Sequence, residues 1–236
     1  MKQKRHILIA ILWILVLPAY AQESEFLKGP FNSGHKVTFK APFHFIEEDL
    51  DTVQLEYVGR IRVASGNTPS LRSIYRELET RARRSGANAF RLISFDKPGA
   101  TLTADLYFLN DDAVSKNNLL KPLNTVYVFG GDLYGHTTHD AFELNGQVRN
   151  IRNGTYVKHT LGEGERAKLM KGTITGTVMW ITWKPNQLPA YYSVRAFGKK
   201  AVVKRTTVSQ SAKPGKFIAV DRALGALLAV VLEPLE

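Results

Sequence analysis

Apolar residues between Thr125 and Leu169 come in short runs broken by Asn145-Gly146, Asn153-Gly154 and Gly162-Glu163-Gly164. Asn and Gly tolerate positive φ at little cost, so this punctuation predicts tight hairpins and a β-meander. Val126, Val128, Phe142, Leu144, Ile151, Tyr156 and Leu161 are expected to line one face of its sheet. Upstream, Val53 to Ala64 alternates apolar and polar residues as a half-buried strand does. A helix follows, with Thr68-Pro69 as its start signal and Leu71, Ile74, Tyr75, Leu78 and Ala82 as an apolar stripe. Glu77 and Glu79 each precede an arginine by four residues, Arg81, Arg83 and Arg84 suit the negative end of the helix dipole, and Gly86 ends it.

Two further strands are predicted, Ala89 to Phe95 and Leu102 to Leu109, with a turn at Asp96-Lys97-Pro98-Gly99 between them. Residues Gln22 to Pro42 lack periodicity ahead of a strand near Lys36 to Phe45. Asn110 to Asn124 is polar and aperiodic, which suggests a linker with a boundary near Lys116. After the meander come apolar segments at Ile174 to Trp183, Tyr191 to Phe197, Ala201 to Val208, Phe217 to Val220 and Leu224 to Leu232. The run Ala223 to Leu232 reads as a buried terminal strand. The expected fold is an α+β unit (β-α-β-β with one amphipathic helix) over 22–115, followed by an all-β sandwich over 116–236.

The first residues change the picture of where such a chain works. Lys2, Lys4 and Arg5 precede the apolar run Ile7 to Leu17, and Ala19 and Ala21 supply small residues for cleavage. Residues 1–21 therefore read as a secretory signal peptide cut after Ala21, and the mature chain as periplasmic or secreted. Eleven apolar residues are about half of the ~20 needed to cross a bilayer, so no transmembrane span is expected in the mature protein. The chain has no Cys, which excludes disulfides, a thiol nucleophile and a lipid-modified cysteine. Its net charge of +11 becomes +8 once the three cations of the leader are removed. The Lys and Arg are dispersed, so nucleic acid is not the expected partner; an envelope protein, a polysaccharide or an anionic lipid surface is.

Two stretches carry resemblances. Arg83 to Ile93, RRSGANAFRLI, resembles the helix-to-strand corner of small GANA-motif α+β domains in the bacterial envelope, some of them in stress-sensing outer-membrane lipoproteins. Those domains use cysteines that this chain lacks, so a signalling role does not carry over. Phe142 to Leu169 is similar to PEGA-like and related uncharacterised envelope β-sandwich domains, with Tyr191 to Val194 matching their returning strand. That resemblance implies a non-catalytic module on an exported protein.

Candidate chemistry is sparse. His136, His139 and Asp140, with Asp132 upstream, could be metal ligands of a hydrolase, but H-x-x-H in a Gly-rich loop lacks the helical spacing that aims both rings one way. A polar loop is the simpler reading. Glu47, Glu48, Asp49 and Asp51 lack the pattern of a calcium loop and read as a solvated turn. No Ser sits in G-x-S-x-G, and the paired glycines lack the strand-to-helix context of a phosphate loop. Trp183, if exposed beside Tyr191 and Tyr192, could stack on a glycan. The expectation is a non-enzymatic envelope binding or structural module with no cofactor, with a metal-dependent hydrolase as the alternative.

Overall fold

A computed structural model describes residues 23–31, 33–66, 70–134, 139–172, 176–195 and 216–235. The leader, Thr68-Pro69, His136 and the segment Ala201 to Val208 lie outside these residues. The chain is β-rich, with three short helices and three sheets among the described residues.

The first sheet is built from β1 (Glu23–Lys28), β2 (His44–Phe45), β3 (Glu56–Ala64), β4 (Ala89–Asp96) and β5 (Thr101–Phe108), in the order β1-β3-β5-β4-β2. Only the β2–β4 pair is parallel. Helix α1 (Leu71–Arg84) buries the predicted stripe, Leu71, Ile74, Tyr75, Leu78 and Ala82, and the i,i+4 pairs Glu77–Arg81 and Glu79–Arg83 close at 2.9 and 2.8 Å. Its N-cap is Ser70, whose Oγ accepts the Ser73 amide while donating to Asp132 Oδ2 at 2.9 Å. Arg83 departs from the expected solvated helix end. Its side chain is 3% exposed, donates to Glu79 and to the carbonyls of Thr38 and Ala41, and lies against the rings of Phe39 and Phe43.

The stretch expected to be a linker forms helix α2 (Asp111–Leu119), and the boundary expected near Lys116 falls inside it. Asn110 caps it through Ala113 N, Asp111 and Asp112 sit in the first turn where the dipole favours anions, and Lys116 pairs with Asp112 at 2.8 Å. Periodicity hid it because only Ala113 and Asn117 are buried, and one of the two is polar. Asn117 is fully buried, accepting the Glu47 amide and donating to Phe45 O. Beneath α2 a small cluster of Ile46, Leu50, Tyr107 and Leu109 covers one face of the first sheet.

The remaining strands are β6 (Thr125–Phe129), β7 (His139–Leu144), β8 (Gln147–Arg152), β9 (Thr155–Thr160), β10 (Arg166–Lys171), β11 (Thr177–Thr182), β12 (Ala190–Ser193), β13 (Ile218–Ala219) and β14 (Glu233–Pro234). They form two sheets, β11-β10-β7-β8 and β13-β12-β6-β9-β14. The β7–β8 turn has φ of 52° at Asn145 and 82° at Gly146, the doubly left-handed geometry that Asn-Gly favours. Val126, Val128, Phe142, Leu144, Ile151 and Leu161 join one core drawn from both sheets. Tyr156 does not; its neighbour Val157 takes the inward position, and Tyr156 packs on the other side with Tyr127 and Phe129.

Most of the run Ala223 to Leu232 is helical, which corrects the expected terminal strand: α3 spans Arg222–Val231. Asp221 caps it by accepting the amides of Ala223 and Leu224. Seven of its residues are buried, so apolar side chains surround it and no stripe marks the helical period. Gly225 lets it approach β12 closely, since a Cβ there would lie 2.2 Å from Tyr191 Cγ. The largest core cluster is shared along the chain. Val58, Ile61, Phe90 and Leu106 of the first sheet meet α1, α3, Tyr127, Phe129 and Tyr191 in it.

Candidate ligand-binding groove

The strand β11 forms one edge of its sheet, and its outward positions are Val178, Trp180 and Thr182, with Ile181 turned into the core. Trp180 is 49% exposed and its ring lies 4.2 Å from the Arg166 guanidinium. The register explains the pairing: Trp180 stands opposite Lys168, and Arg166 is its diagonal neighbour on the same face. A cation on one ring face holds the indole in place on the rim.

Below Trp180 the chain turns through 183–189 to enter β12. Asn124, buried and left-handed (φ 52°), fixes that turn by giving its amide to Gln187 O at 2.8 Å and accepting the Lys184 amide on Oδ1 at 3.0 Å. Trp183 N donates to Glu165 O at 2.9 Å. Glu165 is itself braced by the Gly162 amide and by His159 Nε2 at 2.9 Å, and these two donors hold its carboxyl below the ordinary value.

Between this turn and the start of α3 lies an open groove of ≈ 770 Å³. Its floor and walls include Trp180, Lys184, Asn186, Gln187, Tyr192 and Arg222. Gln187 Oε1 is buried without a hydrogen-bond partner among the described residues, beside the groove. The groove thus offers an aromatic face, two cations and amide groups, and among the described residues lining it there is no Asp, Glu or His. Such a surface can bind by stacking, charge and hydrogen bonding.

Of the residues proposed to stack on a ligand, Tyr192 and the edge of Tyr191 reach the groove. Tyr191 is 6% exposed and stacks on Tyr127 at 5.2 Å, so its ring belongs mainly to the core, and burial pushes its phenol upward. Trp183 lies past the end of β11, half-buried against the core, and Trp180 holds the exposed place expected for it. The outward alternation of Val178, Trp180 and Thr182 was the signal that singles out Trp180. Lys184, Asn186, Gln187 and Arg222 carry no motif and come together only through the sheet order.

The proposed metal ligands are placed differently. His136 lies outside the described residues. His139 and Asp140 are consecutive in β7, so their side chains leave opposite faces of the sheet. His139 is exposed opposite Arg152, whereas Asp140 accepts from Arg195 Nε and lies 4.0 Å from Lys171 Nζ. Among the described residues no three His, Asp or Glu side chains converge as metal ligands. Asp132 is taken by α1, accepting from Ser70 Oγ and the amides of Leu71 and Tyr134. In the acidic stretch, Glu47 pairs with Lys121 at 3.1 Å and Asp51 accepts the Val53 amide.

No helix among the described residues is long and apolar enough to cross a membrane. No protein-family model, curated protein or solved structure matches this chain.

Proposed function

We propose that the chain is an exported, non-enzymatic binding module of the bacterial envelope, whose groove between Trp180 and Arg222 holds an acidic polysaccharide. In this reading an α+β unit over 22–115 and a β-sandwich over 116–236 are joined through their common core, with α2 bridging the boundary. The leader-like sequence of residues 1–21 supports export, and the dispersed positive charge supports an anionic partner.

The observation that carries the proposal is the exposed Trp180, backed by Arg166, on the rim of an open groove that also presents Lys184 and Arg222. An indole supplies a flat apolar surface for a sugar ring, and the cations match carboxylates repeated along a uronic acid polymer. An open groove suits a chain that runs through it better than a molecule that must be enclosed.

Titration calorimetry of the mature protein with polygalacturonate oligosaccharides and with neutral dextran oligosaccharides tests this. The expected result is binding of the acidic series that weakens with salt and falls about tenfold in Trp180→Ala, a loss of ~1.4 kcal/mol. Equal affinity for both series, or an unchanged affinity in Trp180→Ala, would overturn it. Export is tested separately by sequencing the N-terminus of protein recovered from the envelope fraction, which is expected to begin at Gln22.

A further inference from the structure

Next to the groove, and sharing Leu188, Pro189, Tyr191 and Arg222 with it, is a smaller pocket of ≈ 220 Å³. Its walls come from far-separated parts of the chain: β2 supplies His44, α2 and the residues after it supply Asn118 and Lys121, and the start of α3 supplies Asp221 and Arg222. Much of the remaining lining is apolar, including Phe43, Phe45 and Leu188. The volume falls below the ~300–1,000 Å³ of drug-sized sites, so the occupant is small.

The polar groups divide by how far they are already engaged. Asp221, the one acid in the lining, is committed: its Oδ1 accepts the Tyr75 hydroxyl at 2.8 Å and the amides of Ala223 and Leu224. Lys121 is held at the wall by Phe45 O and Glu47, its side chain 12% exposed. Arg222 is exposed and has no ion pair among the described residues. The His44 imidazole has no hydrogen-bond partner among them either. Burial, then the positive charges of Lys121 and Arg83, hold His44 below its ordinary value of 6.5 against the opposing pull of Asp221. Lys121 acting on the His44 imidazole, with Arg222 in the same lining, marks a place where a negative charge would be welcome.

We propose that this pocket binds a small monocarboxylate with an apolar body, its carboxylate near Lys121 and Arg222 and its body against Phe43, Phe45 and Leu188. Inorganic phosphate would match the cations but leave the apolar walls unused. The pocket does not depend on the groove binding a polysaccharide, because Asn118, Lys121 and His44 belong to it alone.

The test follows the His44 ring resonances by NMR during titration with benzoate, its neutral amide benzamide, and inorganic phosphate. Benzoate is expected to give a saturable shift with a Kd of ~1 mM and to raise the His44 pKa, since an added anion favours the imidazolium. Benzamide and phosphate are expected to bind at least about tenfold more weakly. Asn118→Asp, which sets a like charge in the wall, is expected to weaken benzoate by about tenfold or more, whereas Trp180→Ala should leave it unchanged. The proposal fails if benzoate leaves His44 unmoved, if benzamide or phosphate matches it, or if Asn118→Asp has no effect.

Discussion

Tyr75 donates its hydroxyl to Asp221 Oδ1 at 2.8 Å, the oxygen that also receives the first amides of α3. One carboxylate therefore caps a helix and ties it to another helix 146 residues earlier. Burial first, and the Asp221 charge second, push the Tyr75 phenol far above its ordinary value, so it stays protonated and remains a donor.

Removing that hydroxyl has a defined cost. Tyr75→Phe keeps the ring against Phe43 and Phe90 and deletes only the bond to Asp221. A hydrogen bond to a charged group contributes about 1.5–3 kcal/mol, and Asp221 retains its two amide donors, so a loss near 1.5 kcal/mol is expected in urea denaturation at unchanged slope. A change within error would show that the two helices are held by apolar contact alone.

Gly225→Ala reverses the ordinary helix rule. In an open helix the change would stabilise by ~1 kcal/mol, but here the new methyl would meet the Tyr191 ring at 2.2 Å. Overpacking of this kind costs about 1–3 kcal/mol, so the variant is expected to melt lower. In a Tyr191→Ala background the same change should be neutral or favourable, a coupling that a double-mutant cycle reads directly.

His44 gives the fold a pH dependence of known sign. Its folded-state pKa lies below the 6.5 of the unfolded chain, chiefly through burial and then through Lys121 and Arg83. Between those two values the unfolded state binds more protons, so stability is complete above 6.5 and declines as the pH falls through the folded pKa. His44→Asn is expected to flatten this part of a stability-versus-pH curve; an unaltered slope would assign the dependence to other groups.

What could be read from the residue pattern followed its periodicity. The stripe of α1, the Asn145-Gly146 turn and the alternation of Leu102, Ala104 and Leu106 along β5 state their class by their spacing. Helix α3 is hidden by being buried on most sides, and only Asp221, a capping residue ahead of the run, marked its start. Helix α2 is hidden for the opposite reason, since its inward face rests on Asn117 and Ala113 rather than on large apolar residues. Of the groove's aromatic residues, Tyr191 and Tyr192 were legible, whereas the exposed indole was expected at Trp183 and is Trp180. The rest of it depends on β12 running parallel to β6 between β6 and β13, a long-range pairing that no local spacing encodes.

The position of α3 in the order of synthesis also matters. Residues 223–232 fill the space against which the first sheet, α1 and Tyr191 all pack, so the layers translated earlier stay uncovered on that side until residue 231 has been made. Strands 56–108 can pair with one another before α3 is in place, but their apolar interior is finished last. During that interval the nascent polypeptide carries a sticky, half-built interior, and a stop codon shortly before Asp221 would leave it so permanently, yielding an aggregating product rather than a smaller working one.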